Sequence, residues 1–257
     1  MKKLLVFLYG IVAYGFFLTW FLYAVGFIGN FAVPKSIDSG PAVPFWQALW
    51  VDELLLGLFA LQHSVMARPA FKRWWTRIID PVMERSTYVL LSSLALFLLF
   101  WQWQPLPAVI WKVDNQIAVT LLTATYFFGW LVVLLSSFMI NHFDLFGLKQ
   151  VFNHMVGRQD QGMTFKTSFF YTIVRHPIML GFLIVFWAAP VMTLGHLIFS
   201  LTNTVYILIA VKFLEERDLL NSLGTDYAVY KQRVPMLIPF TGRQTTETAH
   251  PKANLVD

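Results

Sequence analysis

The sequence contains no cysteine. Disulfides, thiolate metal sites and a cysteine nucleophile are therefore excluded. Charge is also scarce. Only 13% of residues are charged, where a soluble domain carries about a quarter. Internal repeats and low-complexity tracts are missing, so the repeated halves of a transporter find no support. The strict alternation of barrel strands is missing too.

Hydrophobic residues make up 57% of the 257 positions. Several apolar runs reach the roughly 20 residues that cross a bilayer. Backbone groups in hydrocarbon must bond within their own segment unless a barrel closes. The expected fold is therefore an all-α polytopic transmembrane helix bundle of five to six spans. Apolar runs place spans at residues 4–28, 45–67, 88–103 and 117–140, and a longer stretch at 178–214. That last stretch exceeds one untilted span. Pro190 and Gly195 near its middle predict a hairpin of two short helices, with one long kinked helix the alternative.

The first run follows Lys2 and Lys3 and is too long for a signal-peptide core, so it reads as a retained span. The formal net charge of +5 comes from Lys and Arg lying between the apolar runs. It therefore reads as membrane topology rather than nucleic-acid binding. Residues 68–86 hold Arg68, Lys72, Arg73, Arg77 and Arg85, and residues 141–176 hold Lys149, Arg158, Lys166 and Arg175. The loops at 29–44 and 104–116 have one Lys each, Lys35 and Lys112. Short basic loops face the cytoplasm. That predicts a cytoplasmic N-terminus and C-terminus in an inner membrane. The chain divides into a four-span region at 1–140, a cofactor-binding region at 141–240 and a polar, disordered tail at 241–257.

Chemistry concentrates in the C-terminal third. Arg175, His176 and Pro177 open the hairpin, and Glu215, Glu216 and Arg217 close it. A hairpin returns its ends to one side, so the two clusters should face each other at the membrane boundary. Gly224 ends a helix there, and Tyr227 and Tyr230 share a face of the next.

"RHP", Gly181, an apolar hairpin, "EE", "LG" with Tyr227 and Tyr230, then "RVP…PF" resembles the C-terminal half of the isoprenylcysteine carboxyl methyltransferase family. "LQHSVMARPAFKRWW" (61–75), "ERSTYVL" (84–90) and "NHFDLFGLKQVF" (141–152) instead resemble the bacterial methanethiol S-methyltransferases. Together the matches span most of the chain. They imply methylation of a small thiol, methanethiol to dimethyl sulfide, with S-adenosyl-L-methionine as cofactor. The alternatives are methylation of a prenylcysteine carboxylate or an amine lipid headgroup, or a non-catalytic membrane subunit.

The resemblance implies a cofactor pocket at the cytoplasmic mouth, built from Tyr171, Arg175, His176, Pro177, Gly181, Glu215, Glu216, Tyr227 and Tyr230, with Phe169 a further aromatic candidate. An Arg fork, Arg175 or Arg217, suits a carboxylate. Glu215 or Glu216 suits ribose hydroxyls or an ammonium, and aromatic faces suit adenine and a sulfonium. Pro177 opens a helix without wasting an N–H. Gly181, one turn on, allows a ligand or a neighbouring helix to come close. A thiol must also lose its proton, because the thiolate is the nucleophile. His142 with Asp144 is the expected acid–base pair, Arg217 the charge-holding group and His63 the substrate-side residue. No metal is expected. The partners expected are a small thiol and the lipid bilayer.

Overall fold

The computed structural model describes residues 1–41, 43–159 and 167–241. Lys166 and the tail beyond 241 lie outside the described residues. Among the described residues, five helical stretches are long and apolar enough to cross a membrane: Lys2–Gly29, Phe45–Ala67, Pro81–Gln102, Gln116–Ile140 and Leu194–Leu223. The chain is an integral membrane protein, almost wholly helical.

In chain order α1 is Lys2–Gly29, α2 Phe45–Ala67, α3 Pro69–Trp75, α4 Glu84–Gln102 and α5 Gln116–Ile140. Short helices α6 (His142–Leu145), α7 (Leu148–Val156) and α8 (Phe170–Ile173) follow. The hairpin is α9 (Pro177–Trp187) and α10 (Leu194–Ile209), and α11 (Glu216–Leu223) and α12 (Thr225–Arg233) complete the chain. Between α10 and α11 lies a π-helical turn, Ala210–Glu215.

The hairpin forms where Pro190 and Gly195 predict it, but its arms are unequal. The 11 residues of α9 span about 16 Å at 1.5 Å per residue. That is half a hydrocarbon core of about 30 Å, so α9 does not cross alone. It packs instead along α5, where Gly129 and Gly181 meet. A Cβ on Gly181 would fall 2.8 Å from Gly129 O and 2.7 Å from Val133 Cγ2. Small residues let membrane helices approach this closely.

One feature departs from an all-α expectation. Strands β1 (Val109–Lys112) and β2 (Val191–Thr193) pair antiparallel across the far end of the bundle. Trp111 Nε1 donates to Ala189 O at 3.1 Å beside them. Asp52 lies at the same end, buried, and accepts from Gln104 N at 2.8 Å. It secures the chain as it leaves α4.

The core runs down the bundle axis through Phe27, Leu56, Leu99, Phe100, Trp103, Trp130, Val185 and Phe199. Burying an aromatic or branched side chain stabilises by about 1.5–3 kcal/mol in water. Within lipid the gain shifts to packing and interhelical hydrogen bonds. The opposite end gathers the chain start, α3, α6 to α8, α11 and α12. Arg68 Nη1 binds Asp218 Oδ2 at 2.8 Å, Tyr9 OH lies 2.9 Å from Thr87 Oγ1, and Gly10 receives Val151 of α7. The predicted gathering of the basic segments at one end therefore holds.

Candidate functional site

The hairpin ends do meet. Glu216, the first residue of α11, is buried and sits at the centre of the meeting point. Arg175 Nε donates to its Oε1 at 2.8 Å, Tyr227 OH donates to the same oxygen at 2.8 Å, and His176 Nε2 lies 2.9 Å from it. Lys231 Nζ is 2.9 Å from Oε2, an ion pair that is not aligned as a hydrogen bond. Glu215 takes the other side of His176, with Oε2 3.1 Å from Nδ1.

The π turn explains how two consecutive carboxylates reach one imidazole. In a regular helix neighbours point about 100° apart. A π turn inserts extra backbone and re-phases the side chains, a device common at functional sites. The sequence shows no sign of it.

Both ring nitrogens of His176 face carboxylate oxygens, which only accept. Both must therefore carry protons, and His176 is an imidazolium. Burial disfavours that charge, but the bonds to Glu215 and Glu216 outweigh it and hold His176 above its ordinary pKa. The phenol of Tyr227 is pushed up by burial and by its bond to Glu216. Tyr230 is pushed up to about 12, chiefly by burial. Both stay neutral donors near pH 7. Three cations, Arg175, His176 and Lys231, face two carboxylates, leaving one positive charge in surplus.

Backbone bonds fix the frame. Arg175 N donates to Pro235 O at 2.9 Å and His176 N to Met236 O at 3.2 Å. Arg175 Nη1 donates to Lys231 O at 3.0 Å and to Val234 O. Tyr230 OH donates to Tyr171 O at 2.5 Å, and Tyr171 OH to Ser136 O at 3.3 Å. Tyr171 is buried and braces α5. Arg175, His176, Glu216 and Tyr227 thus form the floor, and the side chains of Glu215 and Lys231, 36% and 41% exposed, form the rim. Phe169 stands exposed beside it with φ +45°. Arg217 is exposed on α11.

Pro177 is buried at the first position of α9, as a proline there should be. Gly181 turns to α5, so the neighbouring helix takes the space a ligand would need.

The structure does not bring His142 and Asp144 together. They are two apart in the α6 turn, which points their side chains about 200° apart. Asp144 is buried, bonded to Gln150 Nε2 at 2.7 Å and Lys149 Nζ at 2.8 Å. His142 is buried against Phe138, with ring centroids 4.3 Å apart. Its Nε2 lies 2.8 Å from Tyr14 OH and its Nδ1 2.8 Å from Ser137 Oγ. Ser137 already donates to Leu134 O, so Nδ1–H must donate to Ser137 and Tyr14 must donate to Nε2. Burial lowers the His142 pKa, and no charged group supports its cation.

The profile of the NnrU protein family matches residues 53–245. A protein of Bradyrhizobium diazoefficiens named methanethiol S-methyltransferase 2 is 53% identical, covering 97% of this chain and 96% of its own length. The methanethiol S-methyltransferase of Mycobacterium tuberculosis is 52% identical over 95% of this chain and all of its own length. The chain belongs to this family. Nurim of Bos taurus is a more distant relative, 31% identical over 71% of this chain and 70% of its own. No solved structure matches.

Two features of this family member were not visible in the sequence. Lys231 joins the Glu216 cluster from a position that reads as an ordinary solvated charge. Tyr88 touches His63, its hydroxyl 2.9 Å from Nε2 and 3.0 Å from Nδ1.

Proposed function

We propose that this protein transfers a methyl group from S-adenosyl-L-methionine to methanethiol, giving dimethyl sulfide, at the cytoplasmic face of a bacterial inner membrane. The observation that carries the reading is buried Glu216 with its ring of donors at the basic end of the bundle, in a chain half identical to proteins named for that reaction. The orientation is supported by charge: Lys2, Lys3, Arg68, Lys72, Arg73, Arg85 and Lys149 lie at the cluster's end, with Lys35 and Lys112 at the other.

The residues present suit the donor. The cluster's surplus positive charge suits a carboxylate. Glu216 Oε2 is already paired with Lys231 at 2.9 Å, and half-exposed Glu215 offers an acceptor for an ammonium or a ribose hydroxyl. Arg175, His176, Glu215, Glu216, Tyr227 and Tyr230 are the residues assigned to hold it, with Tyr171, Pro177 and Gly181 shaping the wall behind. When bound, S-adenosyl-L-methionine supplies an electrophilic methyl on a sulfonium.

The protein's part is then mostly alignment, because holding two reactants in line removes much of the entropic barrier. The floor is rigid, since each member is tied by at least one charged hydrogen bond. Arg217 keeps positive charge at the mouth. His142 and Asp144 fix the ends of α5 and α7 around it.

The test is purified protein with S-adenosyl-L-methionine and a thiol panel, with headspace detection of methylated sulfides. Dimethyl sulfide should form from methanethiol. Turnover of a farnesylcysteine analogue at a comparable rate would overturn the small-thiol assignment, and no methylated product from any thiol would overturn the reading altogether.

A further inference from the structure

The family's reaction needs a group to take the thiol proton, and the spent hydrogen-bond capacity of His142 argues against that residue. His63 differs in the respects that matter. Its side chain keeps accessible surface, with Phe59, Tyr88 and Ser92 set around the ring. That exposed part of the ring, beside Tyr88 and Ser92 of α4, is open to a small ligand. His142 is the reverse, buried and sealed by Tyr14, Ser137 and Phe138.

The bonds of His63 are also shared rather than dedicated: one hydroxyl, Tyr88 OH, serves both nitrogens and can bond only one at a time. Tyr88 OH stands between its two nitrogens rather than in line with either, and Ser92 Oγ is a long 3.4 Å from Nδ1. Phe59 stacks on the ring at 5.3 Å, which fixes its plane. Tyr88 is itself held by the guanidinium of Arg85, 5.2 Å above its ring. Glu215, in the π turn after α10, is bonded to His176. Tyr206 OH lies 3.0 Å from Ser64 Oγ, the residue after His63. Ser64 and Tyr206 thus place two further hydroxyls next to His63, on α2 and α10.

We infer that His63 accepts the proton of the thiol, that Tyr88 positions its ring, and that the thiol binds beside that ring, between α2, α4 and α10. The assignment rests on the function proposed above. The thiol S–H bond breaks, its proton goes to a His63 nitrogen and its electron pair stays on sulfur. That sulfur bonds to the donor's methyl carbon as the donor's carbon–sulfur bond breaks, its pair leaving with the donor's sulfur. A cationic sulfonium becomes a neutral thioether and a neutral imidazole becomes an imidazolium. The imidazolium then returns its proton to water.

The first test needs no turnover. Diethyl pyrocarbonate modifies neutral, accessible histidines, and mass spectrometry locates the product. In the purified full chain without donor, His63 should be modified and His142 should not. Dimethyl sulfide, which does not consume the reagent, should slow modification of His63 specifically. An unreactive His63, or one that dimethyl sulfide leaves unprotected, overturns the inference.

The second test uses turnover. His63→Gln should lower kcat by about 10² to 10⁴, the usual share of a general base. Tyr88→Phe should lower kcat about tenfold, the size of one hydrogen bond. It should also displace the acidic limb of kcat against pH and leave S-adenosylhomocysteine affinity within about twofold. The groups bearing on that limb are Tyr88 and Arg85 of α4, Arg68 after α2, and Glu215. Unchanged kcat in folded His63→Gln overturns the assignment. If that variant does not fold, Tyr88→Phe with an unmoved pH profile does the same. Wild-type protein that methylates no thiol sinks the underlying function while the labelling result still stands.

Discussion

Glu216→Ala is the perturbation that most directly probes the cluster. It leaves Arg175, with a side chain only 8% exposed, and buried His176 without their shared carboxylate. Removing one partner of a buried pair costs about 3–5 kcal/mol, because the remaining charge is stranded. For a domain of this size each kcal/mol moves Tm by about 2–4 °C, so Tm should fall by about 6–20 °C. Ten tryptophans make intrinsic fluorescence of the detergent-solubilised protein a convenient reporter.

The stranded-charge account makes a sharper claim. Arg175→Met keeps an apolar stem but removes the charge, so Glu216→Ala combined with Arg175→Met should be more stable than the two single effects added. Loss of the Arg175 bonds to Lys231 O and Val234 O is common to Arg175→Met and to the double variant, so the cycle isolates the pair. A coupling of about 1–3 kcal/mol is expected. A Tm change below about 2 °C in Glu216→Ala, or strict additivity in the cycle, would refute the reasoning. The pair would then behave as a solvated surface bridge.

Other expectations follow from the same geometry. His176 has a raised pKa in the folded protein, so its stabilisation is complete below the unfolded value of about 6.5 and is lost as pH rises through the folded value; wild-type Tm should decline over that window while His176→Gln shows a flatter profile. Gly181→Ala puts a methyl against Gly129 O and Val133, so it should destabilise by about 1–3 kcal/mol in thermal melts, with S-adenosylhomocysteine affinity nearly intact in the folded fraction. His142→Ala removes two bonds that pin α1 to α5 and should cost about 1–3 kcal/mol of stability; kcat measured on folded protein should stay within about threefold, and a large loss would return the proton to His142.

What was legible in the sequence followed from one-dimensional signals. Apolar runs located the crossings because lipid forces each to be a helix. Pro190 located the hairpin because a proline cannot continue the α9 ladder. The ordering of Arg175-His176 before the hairpin and Glu215-Glu216 after it predicted their meeting, because a hairpin leaves little freedom in where its ends go. What stayed hidden depended on phase or on distant partners. The π turn at Ala210–Glu215 alters which way Glu215 and Glu216 point, and a helical wheel drawn through 194–223 misplaces both. The i, i+2 spacing of His142 and Asp144 suggested a pair only if the turn were irregular, and α6 closes it as a helix that separates them. Gly181 allowed either a ligand or a helix to come close, and only the register of α9 on α5 decides between them. Tyr88 lies 25 residues from His63 in sequence, on a different helix. Nothing in either segment says that the α2–α4 seam sets hydroxyl against imidazole. Histidines in an apolar chain look alike in one dimension. The distinction between a pin and a base lies in whether the packed helices leave a ring reachable: His142 is sealed at 6% exposure, whereas His63 keeps accessible surface.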